Sequence, residues 1–176
     1  MTANRIPTLL GVPWDGNSSY LRGAAAAPAA IRAALHHESS NSWNEEIQDV
    51  AAILQDAGDL SLEGQADPHA VIEAKAVALI SRGVTPIFLG GDHSISWPLV
   101  RAVRPGFPRL TVLHLDAHPD LYDNYENDPH SHASPFARVM EEQSASHLVQ
   151  LGIRTLTEHQ REQARREGGR ERDHIR

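Results

Sequence analysis

The sequence contains no cysteine. Disulfides and thiolate metal sites are therefore excluded, and any bound metal has to be held by His, Asp or Glu. Aromatic residues make up only 5% of the chain, and Ala24, Ala25, Ala26 and Ala27 in a row keep side-chain volume low. A basic excess is lacking too: the formal charge is −7, which argues against a nucleic-acid-binding face. No apolar run approaches the ~20 residues of a membrane-spanning helix. The first residues, Met1-Thr2-Ala3-Asn4-Arg5-Ile6-Pro7, hold no apolar stretch of secretory type. The expectation is a cytoplasmic chain whose partners are neither nucleic acid nor membrane.

What is present reads as globular. The chain has 176 residues, 40% of them hydrophobic and 22% charged, enough for one domain with a substantial core. Short apolar runs predict strands at residues 8–12, 50–54, 85–89, 110–115 and 147–152. Amphipathic stretches predict helices at 28–35, 67–81, 94–104 and 134–142. The strand runs are continuous rather than alternating, as in parallel strands covered on both faces. Together they predict an α/β fold, a three-layer sandwich around a parallel sheet. Asp67-Pro68 opens the clearest helix and Gly83 closes it. From residue 161 to 176, ten of sixteen residues are Arg, Glu or Asp. A helix starting near Thr157 is expected to break at Gly168-Gly169, which leaves 167–176 as a charged, disordered tail after a domain covering 1–166.

Two motifs carry chemistry. The strand at 85–89 runs into Gly90-Gly91-Asp92-His93-Ser94, and the strand at 110–115 runs into Asp116-Ala117-His118-Pro119-Asp120. Ligands of open α/β sheets collect at such carboxyl ends. The two glycines permit a tight turn that brings His93 near the neighbouring strand end. Asp116, His118 and Asp120 stand at i, i+2 and i+4, so in extended chain they project to one side. Inward-facing polar groups are costly unless satisfied, and a divalent cation satisfies them. Mixed carboxylate and imidazole ligation suits Mn²⁺, Fe²⁺ or Zn²⁺. A pair of such ions lowers the pKa of a bound water towards neutrality. His132, in a polar loop before a helix start, is placed to shuttle protons. Ser134-Pro135 reads as an N-cap with proline at the first helical position. His114, inside its strand, reads as a hydrogen-bonded core residue rather than a ligand. His36, His37, His69, His147, His159 and His174 are assigned no role.

These segments resemble the ureohydrolases, the arginase and agmatinase family, which hydrolyse guanidino or amidino groups with paired Mn²⁺. Ser131-His132-Ala133-Ser134-Pro135-Phe136, Asn17-Ser18-Ser19-Tyr20-Leu21-Arg22-Gly23 and Val149-Gln150-Leu151-Gly152-Ile153-Arg154 add to the resemblance, which covers residues 8–166. It implies that His93 and Asp120 bind the first metal and His118 the second. Asp116 bridges the two, and His132 is the acid/base residue. Ala133 is similar to an agmatinase-like branch that includes plant-type arginases. Animal-type arginases carry Asn where Tyr122 stands, so their manner of holding arginine is not implied here.

The family's next segment, a strand ending in Asp-x-Asp, has no counterpart in this sequence. The first metal then keeps His93, Asp116 and Asp120, and the second only Asp116 and His118. The resemblance thus implies an arginase-like fold incomplete on its C-terminal side, and by its composition the Arg-rich end reads as a tail formed after a break in the reading frame. The implied reaction is Mn²⁺-dependent hydrolysis of a guanidino group, in agmatine or arginine, to urea and an amine. Its implied partners are a small guanidino substrate and further copies of the chain. The missing ligands keep a second reading open: a non-catalytic metal-binding or interaction protein. A metallophosphoesterase is set aside by motif order, because Gly-Asp-His precedes Asp-x-His and no Asn-His follows.

Overall fold

The structure, a computed structural model, describes residues 5–166. The tail expected at 167–176 lies outside the described residues. Two compact units are present. One comprises the described residues up to Gly16 together with Leu21–Asp92; the other comprises Asn17–Tyr20 with the described residues from His93 onward.

The first unit contains β1 (Pro7–Val12), α1 (Ala27–Leu35), α2 (Val50–Ile53), β2 (Gln55–Asp59), α3 (Pro68–Ile80) and β3 (Thr85–Gly90). Its strands form a parallel sheet in the order β2-β1-β3, with β1 and β3 in register from Pro7 opposite Thr85 to Val12 opposite Gly90. The central strand is buried from Thr8 to Val12, which is why it reads as a continuous apolar run. Asp67 caps α3 by accepting the Ala70 N–H at 3.0 Å, and Pro68 occupies the first turn. The helix buries Ile72, Ala76 and Leu79, one stripe at helical spacing. Gly83 follows at φ 76, the left-handed position that ends helices.

Residues 50–54 are not the expected strand. Residues 50–53 form the single turn α2, because the Asp49 carboxylate accepts the Ala51 N–H at 3.1 Å and starts a helix instead. The strand follows as β2, pairing Gln55 with Thr8. All five of its residues are exposed, so no apolar run marks it.

The second unit contains α4 (Ser96–Val103), β4 (Thr111–Leu115), α5 (Pro135–Glu141), β5 (His147–Leu151) and α6 (Glu158–Arg166). β4 and β5 pair in parallel from Thr111 opposite His147 to Leu115 opposite Leu151. The core gathers Trp97, Leu121, Phe136, Val139 and Ala145, with Val112 and Leu148 of the two strands packed against it. The other face of this pair is exposed at Leu113, Leu115, Val149 and Leu151, where covering on both faces was expected. Thr157 and Gln160 open α6 with reciprocal bonds. The Gln160 N–H donates to Thr157 Oγ1 at 3.3 Å, and the Thr157 N–H donates to Gln160 Oε1 at 3.2 Å, a capping box.

Both units are therefore α/β with parallel strands, as the sequence predicts. Among the described residues those strands are divided between a three-stranded and a two-stranded sheet.

Candidate metal centre

The first motif owes its path to Gly91. A Cβ there would stand 1.9 Å from the Trp14 carbonyl oxygen, and the adjacent Asp92 N–H donates to that same oxygen at 2.8 Å. The glycine is needed for close backbone approach, not for a left-handed turn. The chain then enters a short 3-10 turn at His93–Ile95. His93 Nδ1 donates to Asp120 Oδ2 at 2.5 Å, so the two motifs meet through these side chains.

The second motif is not extended. β4 ends at Leu115, and the His118 N–H turns back to donate to Asp116 Oδ1 at 2.8 Å. Asp120 takes φ 49, the left-handed region. The i, i+2, i+4 alignment expected for Asp116, His118 and Asp120 is lost in this bend. His118 Nδ1 stays 3.3 Å from Asp116 Oδ1, but its side chain is 61% exposed. Four residues, His93, His114, Asp116 and Asp120, each place a donor atom within 4.8 Å of the others. His114 enters this group and His118 does not.

His132 lies on the same cavity, of about 490 Å³, as His93, Asp116, His118 and Asp120. Its ring nitrogen Nε2 is 2.9 Å from Ser19 Oγ, and the His132 backbone N–H donates to the Asn17 carbonyl at 3.1 Å. Asn17 is fixed in turn by donating from Nδ2 to Asp128 Oδ2 at 2.9 Å. Ser134 stands at the N-cap of α5 as expected, but its buried hydroxyl makes no capping bond and has no partner.

Sequence reasoning passed over several residues of the wall. Ser19 lies in the segment 17–23 that adds to the family resemblance, but nothing local to it shows its bond to His132. Thr157 and Gln160 line the cavity as well as capping α6, and the Thr-x-x-Gln spacing could have shown the cap. Tyr122 stacks on His159 at 5.6 Å, and His159, assigned no role, also meets Asp123 Oδ1 at 2.9 Å.

Electrostatics set Asp116 apart. Burial acts to raise its carboxyl, but the His118 N–H bond and the neighbouring His114 and His93 outweigh burial and hold it below its ordinary value. His114 is pushed below its ordinary value, first by burial and then by His93, with Asp116 and Asp120 opposing. Asp116 and Asp120 bring two carboxylates to one cavity, and no Lys or Arg lines it among the described residues. A divalent cation would supply the missing positive charge, and the donor set of carboxylates and imidazole fits Mn²⁺, Fe²⁺ or Zn²⁺.

Comparison with known proteins agrees with this geometry. Residues 7–172 match the family model described as Arginase family. The chain is 44% identical over 172 residues to Arginase 1, mitochondrial, of Oryza sativa subsp. indica, covering 91% of this chain and 50% of that protein. It is 34% identical over 151 residues to the Agmatinase of Bacillus anthracis, covering 84% and 51%. Among solved structures, the arginase from Medicago truncatula matches with a TM-score of 0.86 at 40% identity, over 93% of this chain and 55% of that one. The chain thus spans about half the length of the curated relatives it matches. No helix among the described residues is long and apolar enough to cross a membrane. A family match over nearly the whole chain, carrying with it the residues that converge on one cavity, establishes that this chain belongs to the arginase family.

Proposed function

We propose that the chain serves Mn²⁺-dependent hydrolysis of a guanidino group, in arginine or agmatine, to urea and an amine. The observation that carries this reading is the convergence of His93, Asp116 and Asp120 within 4.8 Å on the cavity that also holds His132. His93, Asp116 and Asp120 would hold a first ion, and Asp116 with His118 a second. When bound, such ions activate water for attack on the guanidino carbon. Asp116 and Asp120 give the cavity a negative character that favours a cationic substrate. The rings of Tyr122 and Tyr125, 5.0 Å apart, offer faces on which a planar guanidinium can lie. His132 delivers a proton to the departing amine from its ring, which Ser19 orients through Nε2. The higher identity to a plant arginase than to an agmatinase supports arginine as the first substrate to test.

Urea release from arginine and agmatine, with Mn²⁺ in excess, tests the reading. Folded protein that releases no urea above background from either substrate refutes it. A second reading, a non-catalytic metal-binding or interaction protein, draws support from the second ion position. Only Asp116 and His118 serve it here, and His118 stands outside the four-residue group. Calorimetric titration separates the two: two ions per chain favour the enzyme, and one or none favours the alternative.

The net charge of −7 supports a partner list without nucleic acid. Assembly of copies, which the family resemblance suggests, is checked by light scattering after size exclusion. The proposed compartment is the cytoplasm, whereas the rice relative is named mitochondrial, and cell fractionation decides between them.

A further inference from the structure

His114 presents a choice that its position alone leaves open. It is buried beside Asp116, and like His93 it places a ring nitrogen within 4.8 Å of the other donor atoms, so by distance it is a candidate fourth ligand. Its hydrogen bonds say otherwise. Gln150, its partner across the β4–β5 register, places Nε2 2.6 Å from the Pro119 carbonyl oxygen and 2.9 Å from His114 Nδ1. A carbonyl oxygen only accepts, so the Gln150 atom facing it is the amide NH₂ and not the amide oxygen. One of its two hydrogens goes to Pro119. The other points at His114 Nδ1, which must accept it with its lone pair. The ring proton of the neutral imidazole is then on Nε2.

That nitrogen faces the site. His114 Nε2 is 3.4 Å from Asp116 Oδ2, is buried, and makes no hydrogen bond at this separation. A protonated ring nitrogen cannot ligate a metal, but it can donate to a carboxylate that does. Phe136, 4.3 Å away between ring centroids, restricts the ring from the side. We infer that His114 is a positioning residue and not a ligand: Gln150 locks its tautomer, and its Nε2–H, 3.4 Å from Asp116 Oδ2, is placed to donate to that carboxylate once a metal draws the site together. Outer partners of this kind set the orientation of a ligand, and their loss typically weakens metal affinity by about 10–100-fold.

The inference rests on the reading of Asp116 as a ligand, so the test separates the two. Long-range ¹H–¹⁵N spectra of the full chain report the proton on each ring nitrogen, with His114→Gln identifying the signals. Zn²⁺, which is diamagnetic, serves as the probe ion. The expected result is Nδ1 without a proton and Nε2 with one, both in metal-free protein and after Zn²⁺ is added. Loss of the Nε2 proton on adding Zn²⁺, or a proton on Nδ1 in metal-free protein, overturns the inference. Calorimetric titration with Zn²⁺ gives the second arm. His114→Gln, which keeps an N–H near the Nε2 position, is expected to retain affinity within about threefold, and His114→Phe to lose about 10–100-fold. Equal losses in both variants would make His114 a ligand, and no loss in either would deny it any part. If His114→Phe does not fold, the spectra of the unaltered chain still decide. A chain that binds no Zn²⁺ would count against the proposed function, while the metal-free tautomer still tests the role of Gln150.

Discussion

Ser19 and His132, 113 residues apart in sequence, meet side chain to side chain at 2.9 Å between Oγ and Nε2. A hydrogen bond of this kind contributes about 1 kcal/mol. Ser19→Ala is therefore expected to lower kcat about fivefold, with KM nearly unchanged, if His132 is the proton donor as proposed. His132→Phe is expected to cost about 10²–10⁴-fold. In the double variant the Ser19 effect should disappear. Steady-state urea release measures all three, and additive losses would count against a shared role.

Metal addition provides a test that needs no turnover. An ion present at about 100 times its Kd stabilises the folded state by about 2.7 kcal/mol. For a chain of this size that corresponds to a rise in Tm of about 5–10 °C. Excess Mn²⁺ should raise the thermal midpoint by this order, chelator should reverse it, and Asp116→Asn should abolish the response.

In the first unit, Arg32 holds two carboxylates. Its Nε meets Asp56 Oδ2 at 2.6 Å, and Nη1 meets Asp59. The Arg32 hydrogen bond is the main cause holding Asp56 below its ordinary value of 3.8, with burial opposing it. A carboxyl lowered on folding stabilises fully above its unfolded value, and that contribution is lost as pH falls through the folded value. Asp56→Asn is therefore expected to cost about 0.5–1 kcal/mol at pH 7, the modest value of a partly exposed pair. In acid below both values the gap should close. Denaturant melts at neutral and acid pH check the sign.

Gly91→Ala should be among the more damaging small substitutions. The added methyl would meet the backbone carbonyl of Trp14, which cannot swing aside as a flexible side chain would. The expected cost is about 1–3 kcal/mol, read from the midpoint of a urea melt. Weaker metal binding should accompany it, because His93 follows two residues later.

Much of the fold is legible in the sequence where burial writes a pattern. β1 is buried over nearly its whole length, and α3 shows its Asp67 cap, Pro68 and Gly83 openly. β2 leaves no such mark, because Gln55, Asp56, Ala57, Gly58 and Asp59 are all exposed and are held by pairing with β1. The apolar run just before it drew the expectation of a strand, and the Asp49 cap turned that run into helix. At the site, His93, Asp116 and Asp120 are gathered as the motifs suggest. The bend made by the His118 N–H on Asp116 is a local side-chain effect that alternation cannot show. Nor can any local pattern show that Gln150 bonds His114, or that Ser19 bonds His132. Those relationships exist only once the chain has folded.

The backbone at Asp120 makes the possible replacements unequal. At φ 49, most residues pay a conformational cost that Asn and Asp largely escape. Asp120→Asn therefore removes the charge and leaves the loop path intact, whereas Asp120→Ala confounds loss of the proposed ligand with a strained turn. A lineage that no longer needed the ion could pass through Asn here without unfolding its loop. On the proposed role of Asp120, Asn or Gly at this place would keep the scaffold while removing the carboxylate that the metal needs.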